Sequence, residues 1–150
     1  AVGHVHGGAR FGGHGVSVDG PGRFVPPGSA AGTPFWEASR EPRFVLPWCT
    51  ACGRPHWFPR EACPHCLSDA IEWRGGAGAP GGRPVSGVPK PGKPALAGRA
   101  RHPAVELPEG VRMMGEVRAD DPWSVVVDDP VTLAWEPLGD GRHLPVWDRR

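Results

Sequence analysis

Apolar residues in this chain come in short bursts punctuated by glycine and proline, and only one burst carries a helical signature. Residues 33–41 open with Thr33 as the expected N-cap and Pro34 at the first helical position, where its missing N–H costs nothing. Glu37 suits the positive end of the helix dipole, and Pro42 is expected to stop the helix at Glu41. Two turns do not stand alone in water, so Phe35 and Trp36 must dock on something. The choices are the chain itself, favoured for Phe35, or a partner protein, which leaves Trp36 open.

The remaining bursts read as strands. Residues 43–46, 57–59 and 71–73 alternate over short spans. Residues 104–107 and 111–117 flank Pro108-Glu109-Gly110 and predict a hairpin. Residues 124–127, 131–136 and 143–147 extend the β series, with Gly139-Asp140-Gly141 turning between the last two. Repeated short strands with glycine turns point to a small barrel. The stretch from Gly75 to Pro103 is so rich in proline and glycine that central strands are not expected there. Residues 1–32 show no period and read as a flexible Gly/His-rich tail, in which His4, His6 and His14 lack partners to complete a metal shell.

Composition narrows this picture. With 23 Gly, 20 Pro and no Tyr among 150 residues, the apolar interior is thin, and a bound metal would help to hold it. No apolar run reaches 18 residues, so no membrane-spanning helix is expected. Residues 1–23 lack the charged and apolar regions of a secretory signal, so cytoplasmic residence is the expectation. The formal net charge is +1, but residues 74–118 carry eight Lys/Arg against three Glu, and residues 119–150 three Arg against seven acids. The surface is polarised rather than polycationic.

The candidate chemistry lies in the cysteines. Cys49-Thr50-Ala51-Cys52-Gly53 is answered by Cys63-Pro64-His65-Cys66, and these are the only four cysteines in the sequence. Two Cys-x-x-Cys hooks at this separation are the sequence form of a zinc ribbon, a closed four-sulfur site. Gly53 follows the first hook, where freedom from Cβ allows φ > 0. Leu67 stands at the matching place after the second, where an L-residue costs roughly 1–2 kcal/mol. A disulfide pair and a thioredoxin-like redox motif are less favoured, for want of an oxidising compartment and of a βαβ pattern. Iron shares the four-thiolate geometry, so zinc is the expected ion with iron left open. His56 and His65 are expected to face solvent or support the ligands from outside. Trp48, Trp57 and Phe58 are expected to roof the site rather than to stack on bases.

These features together resemble the DUF35 family. The resemblance rests on Phe35-Trp36-Glu37-Ala38, the two hooks, Phe58-Pro59-Arg60 between them, and a tail comprising residues 110–115, Pro130-Val131, residues 135–137 and residues 144–147. It covers residues 33–76 and 104–148. The resemblance implies a mainly β chain: a short N-terminal helix, a rubredoxin-like zinc ribbon, then a small OB-fold barrel. Domain limits follow as a tail over 1–32, helix plus ribbon over 33–76, and a barrel over 77–150. The segment 77–103 departs from the family pattern, so the barrel's opening strands are in question.

The family implies a non-catalytic accessory role beside a thiolase-type or other acyl-CoA enzyme, in lipid metabolism, with a proposed acyl-CoA-binding OB domain. The basic segment offers Lys90, Lys93, Arg99 and Arg101 to CoA phosphates, and Phe35 with Trp36 are the candidates for partner docking. Nucleic-acid binding is the rival reading. It is disfavoured because the basic stretch 77–103 contains no aromatic residue. An independent enzyme would need His102 or His143 to act as acid or base, and a closed S4 site leaves its metal no open position. No catalytic residue is assigned.

Overall fold

The computed structural model describes residues 24–76, 82–86 and 100–150. A 3-10 turn, Ala30–Gly32, leads into helix α1, Thr33–Ala38. The cap lies one turn earlier than expected. Ser29 Oγ accepts from Gly32 N–H at 3.1 Å, and Thr33 is already helical, its hydroxyl donating to Ser29 O at 3.2 Å. The helix also stops three residues short of Glu41. Ser39 is fully buried and turns its hydroxyl back onto Trp36 O at 2.7 Å, while its own carbonyl lies 2.8 Å from His143 Nδ1. A residue held from two sides in this way ends the helix before Pro42 can.

Strands β1 (Val45–Cys49) and β2 (Ile71–Gly75) pair antiparallel from Val45↔Gly75 to Cys49↔Ile71 and form the ribbon's ladder. β1 begins two residues later than the alternation suggested and runs into the first cysteine. The strand expected at 57–59 does not form. Pro55 and Pro59 remove two backbone donors from this short link. Trp57 turns its ring edge-on to Phe35, 5.1 Å between centroids, instead of pairing its backbone.

Seven further strands follow: β3 (Arg83–Ser86), β4 (Ala100–Arg101), β5 (Ala104–Glu106), β6 (Arg112–Met114), β7 (Glu116–Arg118), β8 (Val131–Pro137) and β9 (His143–Arg149). They form a three-stranded sheet, β3-β5-β6, and a four-stranded sheet, β4-β7-β9-β8. β4 and β5 are one bent stretch broken at His102-Pro103, and β6 and β7 are another, broken at Gly115. Each half of one pairs antiparallel with a half of the other. β7 pairs parallel with β9, and a bridge between Gly82 and Val131 joins the start of β3 to the start of β8. The ring thus closes as β3, β4/β5, β6/β7, β9, β8 and back to β3, which is a five-stranded OB-type barrel. β3 and β4 therefore do form within the Pro/Gly-rich stretch and supply the opening strands that the sequence leaves in question. They sit at sheet edges, where Pro84 needs no ladder donor.

Trp147 on β9 is the pin of this barrel, 1% exposed. Its ring lies flat against the backbone where the chain changes sheets, so that a Cβ on Gly115 would stand 2.0 Å from its Cζ3. The predicted hairpin turn holds, with Leu107 N–H donating to Val111 O at 2.9 Å and Gly110 at φ 80°. So does the turn at 139–141, with Gly141 at φ 83°. The strand expected at 124–127 is instead a 3-10 turn, Pro122–Ser124, followed by an irregular turn. Only Val125 of its three valines is buried, and Asp129 Oδ2 takes the Val126 N–H at 2.9 Å that a neighbouring strand would have taken.

One continuous cluster joins Phe35, Phe44 and Leu46 to barrel residues including Val105, Met113, Val117 and Trp147. Helix α1 is clamped to the β8–β9 turn as well. Arg142 lies over the Trp36 ring at 4.6 Å and donates to Pro26 O at 2.8 Å, while Arg40 donates to Asp140 O at 3.0 Å. No helix among the described residues is long and apolar enough to cross a membrane.

Candidate metal centre

Both hooks fold for the same local reason. After each first cysteine the chain doubles back, Gly53 N–H donating to Cys49 O at 2.8 Å and Leu67 N–H to Cys63 O at 2.9 Å. Each turn needs a left-handed residue, and Gly53 at φ 69° and Leu67 at φ 63° supply it. The strain expected at Leu67 is present. His65 N–H points at Cys63 Sγ from 3.4 Å, a donor for a thiolate.

The four sulfurs converge. All lie within 4.8 Å of one another, with Cys49–Cys66 at 3.6 Å and Cys52–Cys63 at 3.7 Å. Disulfides need about 2.05 Å, so neither pair is bonded. A tetrahedron with metal–sulfur bonds of about 2.3 Å has edges of about 3.8 Å, which these separations match. The donor set therefore fits a four-coordinate thiolate-bound metal. Cys49 and Cys63 are fully buried, Cys52 is half-buried and Cys66 exposed, so one corner of the cluster meets solvent.

Proton equilibria differ across the cluster. The backbone N–H of Cys52 draws the Cys49 thiol down to about 7, further helped by Cys66, against the opposing effect of burial. Burial pushes Cys52 up, with Cys49 and Cys63 adding to it. At Cys66 the Ser68 N–H pulls downward, but Cys49, burial and the other two thiols outweigh it and leave the group pushed up to about 12. Four thiolates repel one another in the absence of a cation, and a divalent ion removes that conflict.

His65 faces solvent as expected, whereas His56 does not. His56 is 3% exposed, and neither ring nitrogen has a hydrogen-bond partner among the described residues. Burial holds its imidazole below the usual histidine range, and the charges of His65 and Arg60 add to this. His65 is exposed, with Nε2 3.3 Å from Pro55 O. Neither histidine joins the metal-competent group among the described residues. Phe58 is 62% exposed, Trp57 packs on Phe35, and Arg74 covers Trp48 at 5.3 Å.

Other predicted site residues are scattered. Phe35 is buried in the core, which leaves it no surface for a partner, and Trp36 is half-covered beneath Arg142. Lys90, Lys93 and Arg99 fall outside the described residues, and Arg101 lies on β4. His143 is engaged by the Ser39 carbonyl, and His102 is exposed with Nε2 3.9 Å from Glu116. Arg142, which ties helix to barrel, carries no sequence signal, because its partners Trp36 and Pro26 lie more than a hundred residues away.

Residues 36–72 match the family model described as the ChsH2 rubredoxin-like zinc ribbon domain. A probable enoyl-CoA hydratase alpha subunit of Thermomonospora curvata is 31% identical over 123 residues, 75% of this chain. The chain spans only 36% of that relative's length. Among solved structures, the Ltp2-ChsH2(DUF35) aldolase is similar with a TM-score of 0.67 and 26% identity, over 83% of this chain and 98% of the matched one. The ribbon model, the solved neighbour and the curated relative together support a member of the DUF35 family.

Proposed function

We propose that this chain is a non-catalytic accessory protein of acyl-CoA metabolism that works in association with an enzyme. The observation that carries this is the likeness over 98% of a DUF35 chain in a structure named as an aldolase. The similarity to a hydratase alpha subunit points the same way. A site closed by four sulfurs keeps no position for water or substrate, so the metal is read as structural. Zinc is the proposed ion, and elemental analysis of the purified protein tests it: one zinc per chain is expected, and one iron overturns the assignment.

The narrower form of the reading is a thiolase-type partner and an acyl-CoA ligand whose phosphates meet Lys90, Lys93, Arg99 and Arg101. Calorimetry of acetyl-CoA into the protein, alone and with the co-purified enzyme, tests it. Heat is expected that disappears when these four residues are changed to glutamine. Silence in both titrations removes the ligand, and an acyl-CoA enzyme other than a thiolase in the co-purified complex replaces the partner.

A further inference from the structure

Among the described residues, the ribbon ladder has one edge covered and one edge open. β1 and β2 pair with each other as a two-stranded sheet. The far side of β1 is occupied: Cys49 N–H donates to Arg54 O at 3.0 Å, His56 N–H donates to Pro47 O at 3.1 Å, and Trp48 bridges Pro55. The barrel strands meet in a ring through the Gly82–Val131 bridge. The far side of β2 pairs with no strand among the described residues.

Register decides which groups point there. Gly76 N–H donates to Phe44 O at 3.0 Å and Thr50 N–H to Ala70 O at 2.9 Å, so the even-numbered residues of the ladder bond inward. In an antiparallel pair the residues between them turn N–H and C=O outward. On β2 these are Ile71, Trp73 and Gly75. Ile71 N–H is already taken by Asp69 O at 2.8 Å. The Trp73 and Gly75 N–H groups, and the carbonyls of all three residues, have no backbone partner among the described residues. Proteins commonly blunt such an edge with proline, lysine or a bulge. Residues 71–75 contain neither proline nor lysine, and their register with β1 is unbroken.

Side chains select the occupant. When β2 is laid antiparallel against a second β2 about a two-fold axis at Trp73, each position meets its own complement. The two Trp73 residues exchange a pair of backbone hydrogen bonds. Gly75 N–H meets the Ile71 carbonyl of the other copy, which leaves the occupied Ile71 N–H out of the seam. Glu72 stands opposite Arg74 of the other copy. Within one chain these two already pair at 3.1 Å and are each about half exposed, so the seam closes four charges of alternating sign into a ring. On the opposite face Ile71 stands across from Gly75, where an added Cβ would meet nothing within 4 Å, so the isoleucine has room. Moving the axis by one residue sets Glu72 against Glu72 or Arg74 against Arg74, which is repulsive. A two-fold contact requires a patch that complements itself, and this one does so in a single register. We propose that β2 is a self-association edge, through which two copies of this chain join their ribbons into one four-stranded sheet. The inference does not rest on the accessory role. Five residues of edge make a seam smaller than a standard interface, so the dimer is weak, with a Kd on the order of 100 µM.

The test is sedimentation equilibrium of the full metal-loaded chain across a concentration series that brackets this Kd, where a monomer–dimer equilibrium is expected. Glu72→Arg and Arg74→Glu each turn both cross-strand pairs to like charge and are expected to weaken the dimer about tenfold. A mixture of these two variants is expected to form a heterodimer, and the double variant carrying both changes is expected to dimerise as the parent does. Gly75→Pro removes an outward donor, leaves the inward ladder intact and is expected to weaken the dimer at least as much. Metal content and melting temperature confirm that each variant folds, and the charge swap carries the test should Gly75→Pro not fold. Amide exchange reads the seam directly: Trp73 and Gly75 N–H are expected to slow as concentration rises, while Arg74 N–H, already in the ladder, does not change. A chain that stays monomeric throughout the series overturns the proposal. So does a dimer whose affinity the charge variants leave unchanged. A monomer whose Trp73 and Gly75 amides slow only when an enzyme is bound assigns the edge to that enzyme and overturns the proposal as well.

Discussion

Leu67 and Gly53 occupy the same place in two copies of one turn, and only glycine adopts it freely. Leu67 sits at φ 63° with 81% of its surface in water, so it bears the left-handed penalty and contributes almost no burial in return. Leu67→Gly is therefore expected to raise the unfolding free energy of the metal-loaded protein by about 0.5–1 kcal/mol, after the extra chain entropy of glycine is deducted. Urea denaturation at fixed metal concentration measures it. The thiols permit a second prediction. Cys52 is raised and Cys66 is pushed up to about 12, so in the metal-free fold both carry protons at pH 7 and must release them on binding. Release of these two protons alone makes metal affinity rise with pH by about a hundredfold per unit, and Cys49, at about 7, steepens the rise below that pH. Competition with a chromophoric chelator between pH 6 and 8, corrected for the chelator's own protonation, gives that slope, and a flat profile contradicts it.

Helix α1 shows how a short element persists: Arg142 of the β8–β9 turn stacks on it, and the two residues just past it bond to Asp140 O and His143. Arg142 stacks on Trp36 and donates to Pro26 O, and it is 9% exposed, whereas Arg40, just past the helix, is about half exposed. Arg142→Ala is expected to cost about 2–3 kcal/mol, from the lost cation–π contact, the lost charged hydrogen bond and the space left behind. Arg40→Ala is expected to stay within about 0.5 kcal/mol, as for a surface pair. Denaturant midpoints of the two variants separate these cases, and equal losses contradict the clamp. Elements of this molecule were legible in sequence where local chemistry decides them. The hooks, the turn at Pro108-Glu109-Gly110 and the turn at Gly139-Asp140-Gly141 are examples, each needing one residue type at one position. Residues 124–127 mislead because three valines in a row fit a strand, while Asp129 captures the Val126 N–H that a strand would offer and Asp121 caps the 3-10 turn just before it. β3 and β4 were hidden because edge pairing depends on β5 and β7, far along the chain, rather than on their own alternation.

Ribbon and barrel share one interior, which makes the metal a support for both. Phe44, beside the ribbon ladder, lies with Leu107 and Trp147 around one small gap, and a Cβ on Gly76 would stand 2.7 Å from the Phe44 ring. Phe35, Phe44 and Leu46 belong to the same continuous buried cluster as Val105, Met113 and Val117 and form its ribbon-side wall. The sequence alone could point to a thin core needing a metal, but not to this sharing, because no local pattern reports which of two apolar clusters will touch. If the ribbon opens, the barrel loses that wall. Structural zinc sites contribute an apparent ~10–16 kcal/mol in small modules, and for a chain of this size each kcal/mol moves the midpoint by about 2–4 °C. Stripping the ion with a chelator, or changing Cys63→Ser, is therefore expected to lower the melting temperature by more than about 10 °C in a single transition. The alternative is a scaffold of two independent parts, in which a barrel transition stays in place while a smaller ribbon transition vanishes. Calorimetry with and without metal distinguishes them, since the shared cluster requires both signals to move together.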